Sequence, residues 1–208
     1  MKDKMNPYQV TKDLEQGLSE YTGAPYVVCV NSCTAALMLS CEFNKPKSLQ
    51  EWCDLRVIVP SHTYCSVPMA VKHTGLNLKF VDYGWRGYYQ LSPLPVYDCA
   101  RRFTSGMYSA GQFQCVSFAT TKILGIEQGG AILHDNPQAD TWFRKMRFDG
   151  RTEGVDPSED TFDVVGHHCI MLPSIAAQLL LKLHHLPKHN EDLPDYPYPD
   201  LSKHPAFK

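Results

Sequence analysis

The strongest constraint on this chain is an alternation of short β-branched runs with helix-like segments. PYVVCVN reads as a strand, Ser32 follows as a helix N-cap, and TAALMLSCEF, rich in Ala and Leu, reads as the helix. The order repeats: LRVIVPS is a strand, HTYCSVPMAVKHTG is helix-like and ends at Gly75, and LNLKFVDY is a third strand. Strands alternating with helices predict an α/β fold. Ahead of them, Val10, Leu14, Leu18 and Tyr21 recur at helical spacing and stop at Gly23, which predicts a packing helix. GWRGYYQLSPLP reads as irregular, PVYDCA as a short strand ending in Asp98, and QFQCVSFATT as a strand leading to Lys122. GGAILHD then reads as a hairpin-forming strand, and Asn136 and Pro137 open a helix over NPQADTWFRKMRF. RTEGVDPSEDTFDVVG reads as loop and SIAAQLLLKLHHL as an apolar helix.

Composition bounds the rest. With 208 residues, 43% of them hydrophobic, the chain supports one substantial core. We expect one domain over 1–186 and a proline-rich extended tail over 187–208, where five prolines interrupt any apolar period. Lys plus Arg number 20 against 22 Asp plus Glu, without a basic stripe, so a nucleic-acid partner is not expected. The N-terminus is polar and no apolar run approaches a membrane span, so a cytoplasmic protein is expected. The eight cysteines sit singly, mostly in apolar segments, and read as reduced thiols. His167, His168 and Cys169 lack the second spaced pair of a four-ligand zinc site, so no metal is expected.

Three features point to chemistry when taken together. They are the turn Asn31 to Thr34 at a helix start, Asp98 at a strand end, and the run from Ser117 to Lys122 leading to Gly129 and Gly130. Each alone has an ordinary reading: Ser32 as a helix cap, Asp98 as a turn cap, Lys122 as a solvated surface lysine. In combination, YTGAPYVVCVNSCTAAL, VIVPSHTYCSVPMAVKHTGLNLKFVD, PVYDCA, VSFATTKILGIEQGGAIL and GHHCIMLPSIAAQLLLKL resemble, in order, the DegT/DnrJ/EryC1/StrS sugar aminotransferases. These are pyridoxal-phosphate enzymes of fold type I.

The resemblance implies a three-layer large domain with a central, mostly parallel sheet, shortened and without the C-terminal small domain. It implies that Lys122 bonds the cofactor aldehyde and later moves a proton, and that Asp98 partners the pyridine nitrogen. Tyr64 stands where relatives stack an aromatic on the cofactor ring, ordinary core packing being its other reading. Ser32, Cys33, Thr34 and Ser117 surround the expected phosphate seat at a helix start. His168 stands where relatives reach the neighbouring subunit's phosphate, which implies a homodimer; plain surface or interface packing is its other reading. Asp82 holds the site edge or satisfies a turn. The implied reaction carries an amino group from glutamate to a nucleotide-linked keto sugar.

Cys33 replaces a glycine, Gln128 an acidic residue and Arg101 a glutamine or histidine, which alters the backbone turn and the charges around the site. Ile170 in place of an arginine, the shortened middle and the missing small domain favour a second function, a catalytically weak or inactive derivative that binds or assembles. Only fifteen residues separate Asp82 from Asp98, so a strand-helix region is missing.

Overall fold

The computed structural model describes Asn6 and residues 8–207, with backbone alone at 49, 52 and 53. Helix α1 (Gln9–Thr22) buries Leu14 and Leu18 one turn apart and closes where the Gly23 N–H donates to the Ser19 carbonyl. Burying each leucine contributes about 1.5–3 kcal/mol. Strand β1 (Tyr26–Val30) leads to α2 (Cys33–Asn44), which starts at Ser32, whose hydroxyl accepts the Ala35 N–H at 3.1 Å. A short α3 (Leu49–Asp54), capped by Ser48, precedes β2 (Arg56–Pro60), α4 (Ser66–His73) and β3 (Asn77–Val81). Then follow β4 (Tyr89–Gln90), β5 (Val96–Asp98), β6 (Phe113–Ser117), β7 (Gly130–His134), α5 (Pro137–Met146) and α6 (Pro173–His184). Asn136 caps α5, its side chain accepting the Gln138 and Ala139 N–H groups.

Side chains alternate across each strand and build two cores. Val28, Val30, Cys115 and Ile132 face α2, α4 and α5; Val27, Cys29, Val116, Ala131 and Leu133 face α1 and α6. The result is the expected three-layer α/β arrangement.

The sheet corrects one expectation. It runs β1-β7-β6-β5-β4, and only the β5/β6 pair is parallel, so it is mixed rather than mostly parallel. A parallel pair needs a long crossover, usually a helix. No helix lies between β6 and β7, and β7 returns antiparallel to both its neighbours. Strands β2 and β3 form a separate parallel pair, tied to the turn after β4 by the Ile58 N–H and the Ser92 carbonyl at 2.7 Å. Two local readings also change. The aromatic segment read as irregular contains β4, and the helix read from His62 begins at Ser66, with 62–65 forming the approach.

Beyond α6 the chain runs back over the molecule. The Ser105 N–H donates to the Lys188 carbonyl, the Leu193 N–H to Arg101, and the Leu201 N–H to Ser61. Two 3-10 turns, Leu201–Lys203 and Pro205–Phe207, close it. Among the described residues, no helix is long and apolar enough to cross a membrane.

Candidate active site

One end of the sheet gathers the chemistry. Gly130 lies opposite Val30 on one side and Ser117 on the other, and Asp98 lies opposite Cys115, two residues before Ser117. The carboxyl ends of β1, β5 and β6 therefore meet at one edge, where open α/β sheets bind ligands. The start of α2 is pressed into that edge. A Cβ at Gly130 would lie 2.5 Å from the Cys33 nitrogen and the Ser32 carbonyl carbon, so only glycine lets the backbones touch. The first amides of α2 have no acceptor inside the helix and favour an anion. Cys33 tolerates its side chain here: its thiol, kept protonated by burial, donates to the Cys115 carbonyl at 3.6 Å. Thr34 donates to Ser66 at 2.8 Å, joining α2 to α4, and Ser117 accepts from the Ala119 N–H.

Asp98 is buried and doubly held. Its Oδ1 accepts the Ala100 N–H at 2.9 Å and its Oδ2 accepts the Tyr89 hydroxyl at 2.8 Å. Tyr89, opposite Asp98 in the β4/β5 register, in turn accepts from Thr63 at 2.6 Å. Burial pushes the Asp98 carboxyl up, while those donors and the charges of Lys122 and Arg101 oppose it.

Lys122 stands on a tight loop in which its N–H donates to Ala119, the Gly125 N–H to Lys122, and the Ile126 N–H to Phe118. A Cβ at Gly125 would meet the Ala119 carbonyl at 2.3 Å and the Lys122 carbonyl at 2.6 Å, so the loop requires glycine there. Lys182 of α6 donates to the Gly125 carbonyl from outside. Burial lowers the Lys122 proton affinity, Asp98 raises it, and Arg101 lowers it further. Asp98 and Lys122 thus feel each other's charge beside the carboxyl ends of β5 and β6, with the Asp98 carboxylate held in place by Ala100 and Tyr89.

The other predicted residues fall as follows. Tyr64 is exposed, 59% accessible, just after β2, so it is not a core-packing residue. Asp82 is exposed and 4.0 Å from His62 Nε2. His168 is exposed and meets the Asp149 carboxylate at 3.0 Å, apart from the other residues in this chain's contacts. His167 faces Glu42 and Cys169 is buried, so the His-His-Cys run diverges. Ile170 lines a hollow with Arg147 and Arg151, away from Lys122. Sequence reasoning missed Tyr89, Thr63 and Gly125. The Ser-Pro pair just ahead of the PVYDCA strand was the available signal for Tyr89, because a turn there sets Tyr89 opposite Asp98.

This architecture, a mixed sheet between helical layers with a helix start, a carboxylate and a lysine at one edge, is that of the large domain of a fold type I aminotransferase. The chain belongs to the DegT/DnrJ/EryC1/StrS aminotransferase family, whose model matches residues 2–106 and 96–193. Among solved structures it is similar to AtS13 from Actinomadura melliaura, at 18% identity and TM-score 0.72, over 86% of this chain and 60% of that one. The sugar aminotransferase CalS13 from Micromonospora echinospora matches at 17% identity and TM-score 0.69, over 85% and 60% of the two chains. DesV from S. venezuelae matches at 21% and 0.64, over 85% and 57%. The chain thus spans about three-fifths of the length of these structures. No curated protein matches the sequence.

Proposed function

We propose that this chain is a pyridoxal-phosphate-dependent aminotransferase that moves an amino group from glutamate to a nucleotide-linked keto sugar, acting as a cytoplasmic homodimer. One observation carries the reading: the register sets Asp98 of β5 beside β6, whose continuation carries Lys122, at the sheet edge where α2 begins, and the two residues feel each other's charge. The donor set fits the cofactor. Bound there, pyridoxal phosphate supplies an aldehyde for a lysine and a ring that draws electrons from a breaking Cα–H bond. The lowered proton affinity of Lys122 leaves part of its population able to attack and to carry a proton at Nζ. Asp98, oriented by Tyr89 and Ala100, offers its remaining lone pairs to a ring N–H. The α2 amides, with Ser32, Cys33, Thr34 and Ser117 around them, receive the phosphate. Stacking by exposed Tyr64 adds about 0.5–1.5 kcal/mol. His168, facing outward, serves the neighbouring subunit's phosphate.

The second reading, a binding or assembly protein on this fold, is favoured by Ile170 in place of an arginine. An absorption spectrum of the purified protein with added pyridoxal phosphate, before and after glutamate, decides. The aminotransferase shows the band of lysine-bound cofactor, loses it in Lys122→Ala and converts it with glutamate. No band in the wild type refutes the proposal and leaves the binding role.

A further inference from the structure

The family match ends at residue 193, yet residues 194–201 reach the candidate site by three routes. The Arg101 guanidinium donates to the Pro194 carbonyl and to the Tyr198 hydroxyl, the latter at 3.4 Å. The Tyr198 ring stacks on Trp85, centroids 6.2 Å apart and 16° between planes; Trp85 packs edge-on against Tyr89 at 4.6 Å, and Tyr89 holds Asp98. The Tyr198 carbonyl accepts from His62 Nδ1 at 2.9 Å, and the Leu201 N–H donates to Ser61 at 2.9 Å, just ahead of Thr63 and Tyr64. A segment clasped at three points forms a fixed wall.

Arg101 is the cation of this wall. It directly follows Ala100, whose N–H holds the Asp98 carboxylate at 2.9 Å, and both Asp98 and Lys122 feel its charge. A guanidinium is a planar fork of five N–H donors, and the segment takes two of them. One carboxylate, Asp98, stands against two cations and a helix start, so the local field favours an anion. The phosphate has its seat at α2. Beside the Lys122 amine must come the amino-bearing carbon of a donor, and in an amino acid the carboxylate is one bond from that carbon.

We propose that Arg101, steadied by Pro194 and Tyr198, binds the carboxylate of the amino donor, and that residues 194–201 form the substrate-side wall. This rests on the aminotransferase reading above. The test is calorimetric titration of the full chain, loaded with pyridoxal phosphate, with glutarate, a dicarboxylate that has no amino group to transfer. Arg101→Gln should weaken binding by about 10- to 100-fold, the scale of a charged hydrogen-bonded contact, and Arg101→Lys should recover part of it. Tyr198→Phe, which removes only one hydroxyl, should weaken it by about 2- to 10-fold, and it carries the test if Arg101→Gln fails to fold. Glutarate binding that is absent in the wild type, or unchanged in these variants while the lysine-bound cofactor band persists, overturns this inference alone. Absence of that band from the wild type overturns the aminotransferase reading and the inference with it.

Discussion

His134 shows how one side chain's surroundings set a pH response. Its ring is fully buried and stacked on Tyr26 and Phe113 with centroids 5.6 and 5.7 Å away, and among the described residues neither nitrogen has a hydrogen-bond partner. Burial pulls its pKa from 6.5 down to about 4, against the partial opposition of Asp140. A histidine that stays neutral in the fold and charges when unfolded contributes no penalty above pH 6.5. Its cost grows as pH falls toward 4, by about 1.4 kcal/mol per pH unit. Urea unfolding across that window should therefore show a steeper loss in the wild type than in His134→Phe, and equal slopes would contradict the assignment. Lys122 titrates under opposed neighbours. Since Arg101 lowers its proton affinity and Asp98 raises it, Arg101→Gln should shift the pH midpoint of cofactor attachment upward and Asp98→Asn downward. The wild-type midpoint should fall below the ordinary lysine value of 10.5, as read from the lysine-bound absorbance.

Between elements, ion pairs and close backbone contacts fix what propensity leaves free. Glu15 of α1 is buried and receives Arg147 at 2.5 Å, Arg144 at 2.7 Å and the Cys29 N–H at 2.9 Å, binding α1, α5 and β1 together. Their attraction holds the Glu15 carboxyl below its ordinary range despite burial. Glu15→Gln removes the carboxylate shared by two arginines that keep Asp140 and Glu153, and should cost about 1.5–3 kcal/mol, seen as a lower urea midpoint. The loop of Lys122 depends on Gly125 in another way, since an added methyl would strike three backbone atoms. Gly125→Ala should displace the amine and abolish cofactor attachment while the far-UV circular dichroism stays near wild type; retained attachment would show that the loop tolerates the strain. The helices and strands were legible from capping residues and apolar period, Ser32 and Asn136 among them. Strand direction was not. A run such as GAILH, buried on both faces, reads alike whichever way it enters the sheet. Helix α3 was missed because six residues carry too little period.

Across the whole molecule, the site combines what is local in sequence with what only folding assembles. The start of α2, Asp98 and Lys122 each sit in a readable strand-turn context, and the register of β1, β5, β6 and β7 sets those contexts at one sheet edge. Arg101 and Tyr198 are 97 residues apart, and no local pattern joins them. What joins them is the return of residues 187–207, a stretch without long helices or strands, held by separate clasps. The central clasp is Arg102, whose guanidinium lies 4.1 Å over the Tyr88 ring and meets both oxygens of Asp192 at 2.8 and 2.6 Å. Asp192 in turn packs against the Gly87 backbone. A charged bidentate pair of this kind is worth about 1.5–3 kcal/mol, roughly a tenfold or greater change in the open population of the segment. Asp192→Ala should then speed limited proteolysis within 187–200 by about tenfold, because cleavage follows the open fraction when closing is fast. The melting temperature should move little, since neither core includes the clasp. If the segment is the substrate-side wall, the same variant should also weaken glutarate binding, whereas faster cleavage with unchanged binding would make the return segment a brace for the fold alone.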